Sequence, residues 1–138
     1  DKRIAILGFA FKAETNDTRE SPAISICHEL LVEGAHLAIH DPRVSEQAVK
    51  AALEHAGAQA FESPGVVRVE TDLEQVFRGA DAAVLITDWP QYRDLDWSQL
   101  APLMRRPGWV FDTRRGTDLD AARASGLETW SIGCGKLA

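Results

Sequence analysis

Four cations sit where a ligand edge could be built. Lys12 and Arg19 follow the first apolar run of the chain, and Arg114 and Arg115 follow a later one. Guanidinium forks match phosphate oxygens two at a time, and a lysine adds a mobile point charge, so a diphosphate is the simplest ligand that would use several of them. The same residues also read as solvated loop charges paired with Glu14, Asp17, Asp88 and Asp112. Both readings stay open on spacing alone.

Other chemistry is thin. Cys27 falls on the inward face of a helical pattern and reads as core. Cys134 lies in Gly133-Cys134-Gly135-Lys136 with no histidine partner in evidence. His36 and His40 share a strand face by period but no third metal ligand is suggested. Trp89, Trp97, Trp109 and Trp130 show no base-stacking arrangement and read as core or interface. No catalytic constellation emerges.

The elements that must position these groups alternate strictly. Arg3 to Gly8 is a short apolar run closed by glycine, as expected of a buried parallel strand. Phe9 to Glu20 is polar and aperiodic, a long loop, and Ser21-Pro22 caps and opens a helix that Gly34 ends. His36 to His40 reads as a strand stopped by Asp41-Pro42, followed by a helix over Ser45 to Ala56 and an irregular stretch from Gly57 to Gly65. A strand at Val66 to Val69, a helix at Asp72 to Arg78 and the strand Ala82 to Ile86 come next. Asp96 to Met104 is expected to be helical, Trp109 to Phe111 a strand, Leu119 to Ala124 a helix and Glu128 to Ile132 a last strand.

Strands alternating with helices predict an α/β fold: a Rossmann-like doubly wound parallel sheet of about six strands, helices on both faces. In such sheets ligands bind outside the carboxyl ends of the strands, where the strand order reverses. That edge would gather Phe11, Lys12 and Arg19 after the first strand, Thr87 and Asp88 after the fourth, and Asp112 to Arg115 after the fifth. The first strand ends in Gly8-Phe9-Ala10-Phe11, which is not the G-x-G-x-x-G turn that brings amides to a pyrophosphate. Without it, Asp41 reads as a turn former rather than a ribose ligand, and the chain is not expected to bind NAD alone.

Composition bounds these readings. The 138 residues make one domain, and 45% hydrophobic with 26% charged residues is ordinary for a globular fold. No apolar run approaches the ~20 residues of a membrane span, so no membrane partner is expected. A net charge of −6 argues against a broad nucleic-acid surface. Two distant cysteines fit neither a disulfide framework nor a zinc spacing, which points to a cytoplasmic location. The chain starts at Asp1 and its one methionine is Met104, so it is expected to be a domain cut from a longer polypeptide.

Gly8-Phe9-Ala10-Phe11-Lys12 followed by Asn16-Asp17-Thr18-Arg19-Glu20-Ser21-Pro22-Ala23 resembles the C-terminal domain of the UDP-glucose/GDP-mannose dehydrogenases, its UDP-glucose branch in particular. The resemblance continues through Glu33-Gly34-Ala35, His40-Asp41-Pro42, Asp81 to Val84 and Phe111 to Arg115, nearly the whole chain, and lapses at Glu54 to Glu70.

That resemblance implies an enzyme that oxidises a sugar C6 hydroxyl to a carboxylate in two NAD-dependent steps, with NAD and a catalytic cysteine on an N-terminal domain. It also implies a C-terminal domain that closes over the nucleotide half of a UDP-sugar. Phe11, Lys12 and Arg115 match the family's substrate-binding positions, and Arg19 matches a residue reaching toward NAD. Neither Cys27 nor Cys134 matches the catalytic cysteine, and the family's catalytic lysine and asparagine belong to the other domain. The isolated chain is therefore expected to be inactive, with the N-terminal NAD domain as its partner, a homo-oligomer as the full-length enzyme, and a place in polysaccharide biosynthesis. The alternatives are the same domain of a UDP-N-acetylmannosamine or GDP-mannose dehydrogenase, or a free-standing nucleotide-binding or assembly module.

Overall fold

The structure, a computed structural model, describes residues 2–19, 21–55 and 66–132. The expectations for Gly57 to Gly65 and for Cys134 and Lys136 fall outside the described residues. In chain order the elements are β1 (Arg3–Leu7), α1 (Pro22–Val32), β2 (His36–His40), α2 (Glu46–His55), β3 (Val67–Val69), α3 (Leu73–Phe77), β4 (Ala82–Leu85), α4 (Trp97–Leu100), β5 (Trp109–Asp112), α5 (Leu119–Ala124) and β6 (Glu128–Ser131).

Among the described residues six strands form one all-parallel sheet in the order β3-β2-β1-β4-β5-β6. The order reverses between β1 and β4, so the crevice above their carboxyl ends is the switch point of a doubly wound sheet. β1 and β4 are buried along most of their length, which only a sheet covered on both faces allows.

Helix starts follow the sequence signals. Ser21 accepts the Ala23 amide and Pro22 occupies the first turn of α1, while Asp72, Asp96 and Asp118 cap α3, α4 and α5 in the same way. One expectation needs correcting. The helix read over Asp96 to Met104 breaks into α4 and a 3-10 turn at Ala101–Leu103, because Pro102 has no amide hydrogen with which to continue the helical ladder.

Register assigns the faces. Ile4, Ile6, Val84, Trp109, Phe111 and Trp130 share one face, and Ala5, Leu7, His40, Leu85, Val110 and Asp112 the other. Trp97 of α4 meets Phe77 of α3 edge-on at 5.5 Å between centroids, locking those two helices together over the second face. Trp89 and Trp97 are buried in the core. Trp109 stacks on Phe111 at 5.4 Å, and Trp130 tilts toward Phe111 on the neighbouring strand.

His40 and Tyr92 form a buried polar pair under the switch point. The Tyr92 hydroxyl donates to the His40 carbonyl at 3.1 Å and lies 2.8 Å from His40 Nδ1. One hydroxyl proton cannot serve both acceptors, so Nδ1 carries a hydrogen and donates to the hydroxyl oxygen. Burial holds the His40 pKa below its ordinary value, partly offset by the Asp41 charge, and burial likewise pushes the Tyr92 phenol up.

Candidate functional site

The first loop begins with a forced close approach. Gly8 has φ +94°, and a β-carbon there would lie 2.3 Å from Thr87 Cβ and 2.6 Å from its amide nitrogen. Only glycine lets the ends of β1 and β4 meet this way.

The next two peptides are completely engaged. The amides of Phe9 and Ala10 donate to Asp41 Oδ2 at 2.8 and 2.9 Å, and the Trp89 indole donates to the same oxygen at 3.0 Å. Asp41 Oδ1 accepts the Arg43 amide at 2.8 Å, which bears out the reading of Asp41 as a turn former. On the carbonyl side, Ser21 Oγ donates to the Phe9 oxygen and Thr87 Oγ1 to the Ala10 oxygen, both at 2.8 Å.

These bonds test the fit of a dinucleotide at this sheet's own switch point. The amides after β1 are the groups that a Rossmann turn offers to a pyrophosphate. Here the carboxylate at the end of β2 fills that role from inside the chain. The residues present do not fit NAD at this position.

Beyond Ala10 the loop turns outward. Phe11 is 42% exposed, and Lys12 is exposed with no hydrogen bond or ion pair among the described residues. The Phe11 amide donates to the Asp17 carbonyl at 2.6 Å, closing the loop, with Glu14 in the left-handed region at φ 68°. Arg19 forks onto Asp17, Nε to Oδ1 at 3.1 Å and Nη2 to Oδ2 at 2.9 Å, and also donates its amide. That guanidinium holds the Asp17 pKa down at about 2.

The loop after β5 is built around Asp112, which is fully buried. Its Oδ1 accepts the amides of Arg114 and Gly116 at 3.0 and 3.1 Å, and its Oδ2 accepts that of Thr117 at 3.1 Å. Wrapping three amides around one carboxylate forces a tight turn, with Arg115 at φ 53° on its crest. Arg115 is exposed, and its Nε–H donates to the Ile132 carbonyl at 3.3 Å. The side chain lines an open cleft of about 360 Å³ with Thr117, Asp118 and Ser131. Arg114 pairs with Asp88 at 3.5 Å.

Of the four cations expected at this edge, Arg19 and Arg114 are ion-paired within the chain, as the alternative reading had it, whereas Lys12 and Arg115 have no acidic partner among the described residues. Phe11, Lys12 and Arg19 share one loop; Arg115 stands on another, two strands away, roughly 10 Å across the sheet. Cys27 is buried on α1 with its thiol pushed up to about 12 by desolvation, as a core residue should be. Three residues escaped the sequence reading. Asp41 as an internal anion, Trp89 as its partner and Asp112 as a loop organiser all rest on contacts that close only in the fold. The available signal was an acid retained after β2 beside a missing glycine turn.

Strand order, switch-point crevice and loop-borne cations together define a doubly wound α/β domain of the Rossmann class. More narrowly, the chain belongs to the UDP-glucose/GDP-mannose dehydrogenase family, whose UDP binding domain matches residues 5–119. A UDP-glucose 6-dehydrogenase of Drosophila melanogaster is 39% identical over 137 residues, covering 96% of this chain and 28% of that protein. One from Rattus norvegicus is 42% identical over 119 residues, covering 86% and 24%. Among solved structures, an NDP-N-acetyl-D-galactosaminuronic acid dehydrogenase from Methanosarcina mazei Go1 superimposes with a TM-score of 0.74 at 26% identity, over 96% of this chain and 24% of that one. A UDP-glucose dehydrogenase from Pyrobaculum islandicum does so with a TM-score of 0.60 at 28% identity, over 94% and 24%. The chain thus spans between a quarter and a third of the length of the UDP-glucose 6-dehydrogenases of rice and Drosophila, at 30% and 28%. Among the described residues no helix is long and apolar enough to cross a membrane.

Proposed function

We propose that residues 1–138 are the C-terminal, substrate-binding domain of an NAD-dependent UDP-glucose 6-dehydrogenase. Lys12 and Arg115 would neutralise the diphosphate from two sides, Phe11 would offer its exposed ring to the nucleoside, and the sugar C6 would be presented to the neighbouring domain. Pre-placed charge of this kind serves the reaction by positioning the substrate, with no covalent role for this domain. Arg19 faces the NAD side of the interface in this reading and gives up its Asp17 fork when it does so.

The observation that carries the proposal is specific. In a matched UDP binding domain, Lys12 and Arg115, the pair assigned to the substrate, are the two of the four cations expected at this edge that have no acidic partner among the described residues. NAD, the catalytic cysteine and hydride transfer belong to the N-terminal domain, so this chain alone is inactive. Assembly with that domain, a homo-oligomeric enzyme, a cytoplasmic location and supply of a UDP-sugar acid for polysaccharide biosynthesis complete the proposal.

The test is a calorimetric titration with UDP, UDP-glucose and GDP, repeated with Lys12→Ala and Arg115→Ala. Selective UDP binding, weakened about tenfold by each substitution, is expected. Equal binding of GDP, or indifference to both substitutions, overturns the assignment of these residues.

A further inference from the structure

The opposite edge of the sheet carries a basic cavity that the nucleotide reading leaves unused. Its volume is about 60 Å³, and Arg3, His36, Arg68 and Arg78 line it over a floor of Ala38 and Val76. Register explains the gathering. Arg3 and His36 are paired neighbours at the amino ends of β1 and β2, and Ala38 pairs with Arg68 of β3, so all four point to the same face. The short α3 crosses that face, burying Val76, and its exit delivers Arg78 to the rim.

We propose that this cavity binds a phosphate group. No carboxylate among the described residues lines it, although the chain has 21 acidic residues against 15 basic ones. Arg19, Arg68, Arg105, Arg114 and Arg123 each have an acidic partner. The guanidiniums of Arg3 and Arg78 make no hydrogen bond or ion pair among the described residues, and that of Arg3 rests against the place where Gly79 lacks a side chain. Arg68 reaches Glu70 only at 3.7 Å and the Gln75 carbonyl at 3.4 Å, long contacts that leave donors to spare. Three arginines bordering one concavity repel one another when it is empty, and a low-dielectric wall focuses their field on an incoming anion. The cavity has room for a tetrahedral oxyanion, so the ligand is inorganic phosphate or the terminal phosphate of an ester. β1 is five residues long, which sets this cavity roughly 15 Å from the loops bearing Lys12 and Arg115. One phosphate cannot engage both.

The test is amide chemical-shift mapping of the whole chain titrated with inorganic phosphate, and separately with methyl phosphate, at ionic strength matched with sodium chloride. Saturable shifts are expected at Ile4, Leu37, Arg68, Gly79 and their neighbours. Arg78→Gln and Arg3→Gln should each weaken binding about tenfold, Arg78→Lys less, since charge survives while the fork is lost. Lys12→Ala and Arg115→Ala should leave it unchanged. Equal affinity for both probes identifies an esterified phosphate as a ligand, and preference for the inorganic ion identifies the free one; either supports the site. Non-saturable shifts, shifts confined to the segments 11–13 and 114–116, or binding unmoved in folded Arg78→Gln and Arg3→Gln proteins overturns it.

Discussion

Asp41 Oδ2 lies 2.8 Å from the Phe9 amide nitrogen, joining the end of β2 to the first turn after β1. A second amide and an indole converge on that oxygen, so one charge fixes the base of the loop that presents Phe11 and Lys12. Asp41→Asn keeps the shape but turns the anion into a neutral amide. Hydrogen bonds to a charged acceptor are worth more than neutral ones, and the expected loss is about 3 kcal/mol in urea-induced unfolding. A loss under about 0.5 kcal/mol would show that the amides are held by something else.

Gly8→Ala combines a left-handed backbone with a collision against the Thr87 backbone, which cannot swing aside as a flexible side-chain tip could. Destabilisation of at least about 3 kcal/mol is expected, or failure to fold. A folded, stable variant would mean that the ends of β1 and β4 can part without cost.

Asp112→Asn separates the loop from its cation. The variant keeps Arg115 but weakens the three amide bonds that hold Arg115 at the crest of its turn. About 3 kcal/mol of stability should go, and UDP affinity should fall although no ligand-facing side chain has changed. Undiminished UDP affinity in the folded variant would mean that the turn does not position the guanidinium.

His40 makes stability depend on pH. Its folded pKa lies below the ordinary 6.5, chiefly through burial, so the unfolded chain takes up a proton at a pH where the folded chain does not. The contribution is fully present above 6.5 and is lost as pH falls from there toward the folded value. Thermal melting followed downward from neutral pH should show a decline that His40→Gln flattens. Parallel profiles for the two proteins would remove His40 as the cause.

The parts of the fold that are legible from sequence are local. Apolar runs closed by Gly8 or by Asp41-Pro42, and caps such as Ser21-Pro22, announce their own elements, and alternation of strands and helices then leaves little choice of architecture. The break at Pro102 is equally local and could be read from the missing amide hydrogen. The site divides differently. Lys12 and Arg115 fall on the expected edge because they closely follow strands. Asp41 meets Phe9 across 32 positions and Trp89 across 48, and nothing in either neighbourhood marks the other as a partner. Arg114 differs, because its partner Asp88 follows the adjacent strand and is among the acids that the sequence offers to these cations.

The indole of Trp89 shares its acceptor oxygen with the two amides at the base of the first loop. Displacement of that loop withdraws the two amides from the carboxylate beside the ring, and the changed field shifts the emission colour of this one fluorophore. The chain therefore carries its own optical gauge of loop position, readable without a label once the other three tryptophans are replaced by phenylalanine.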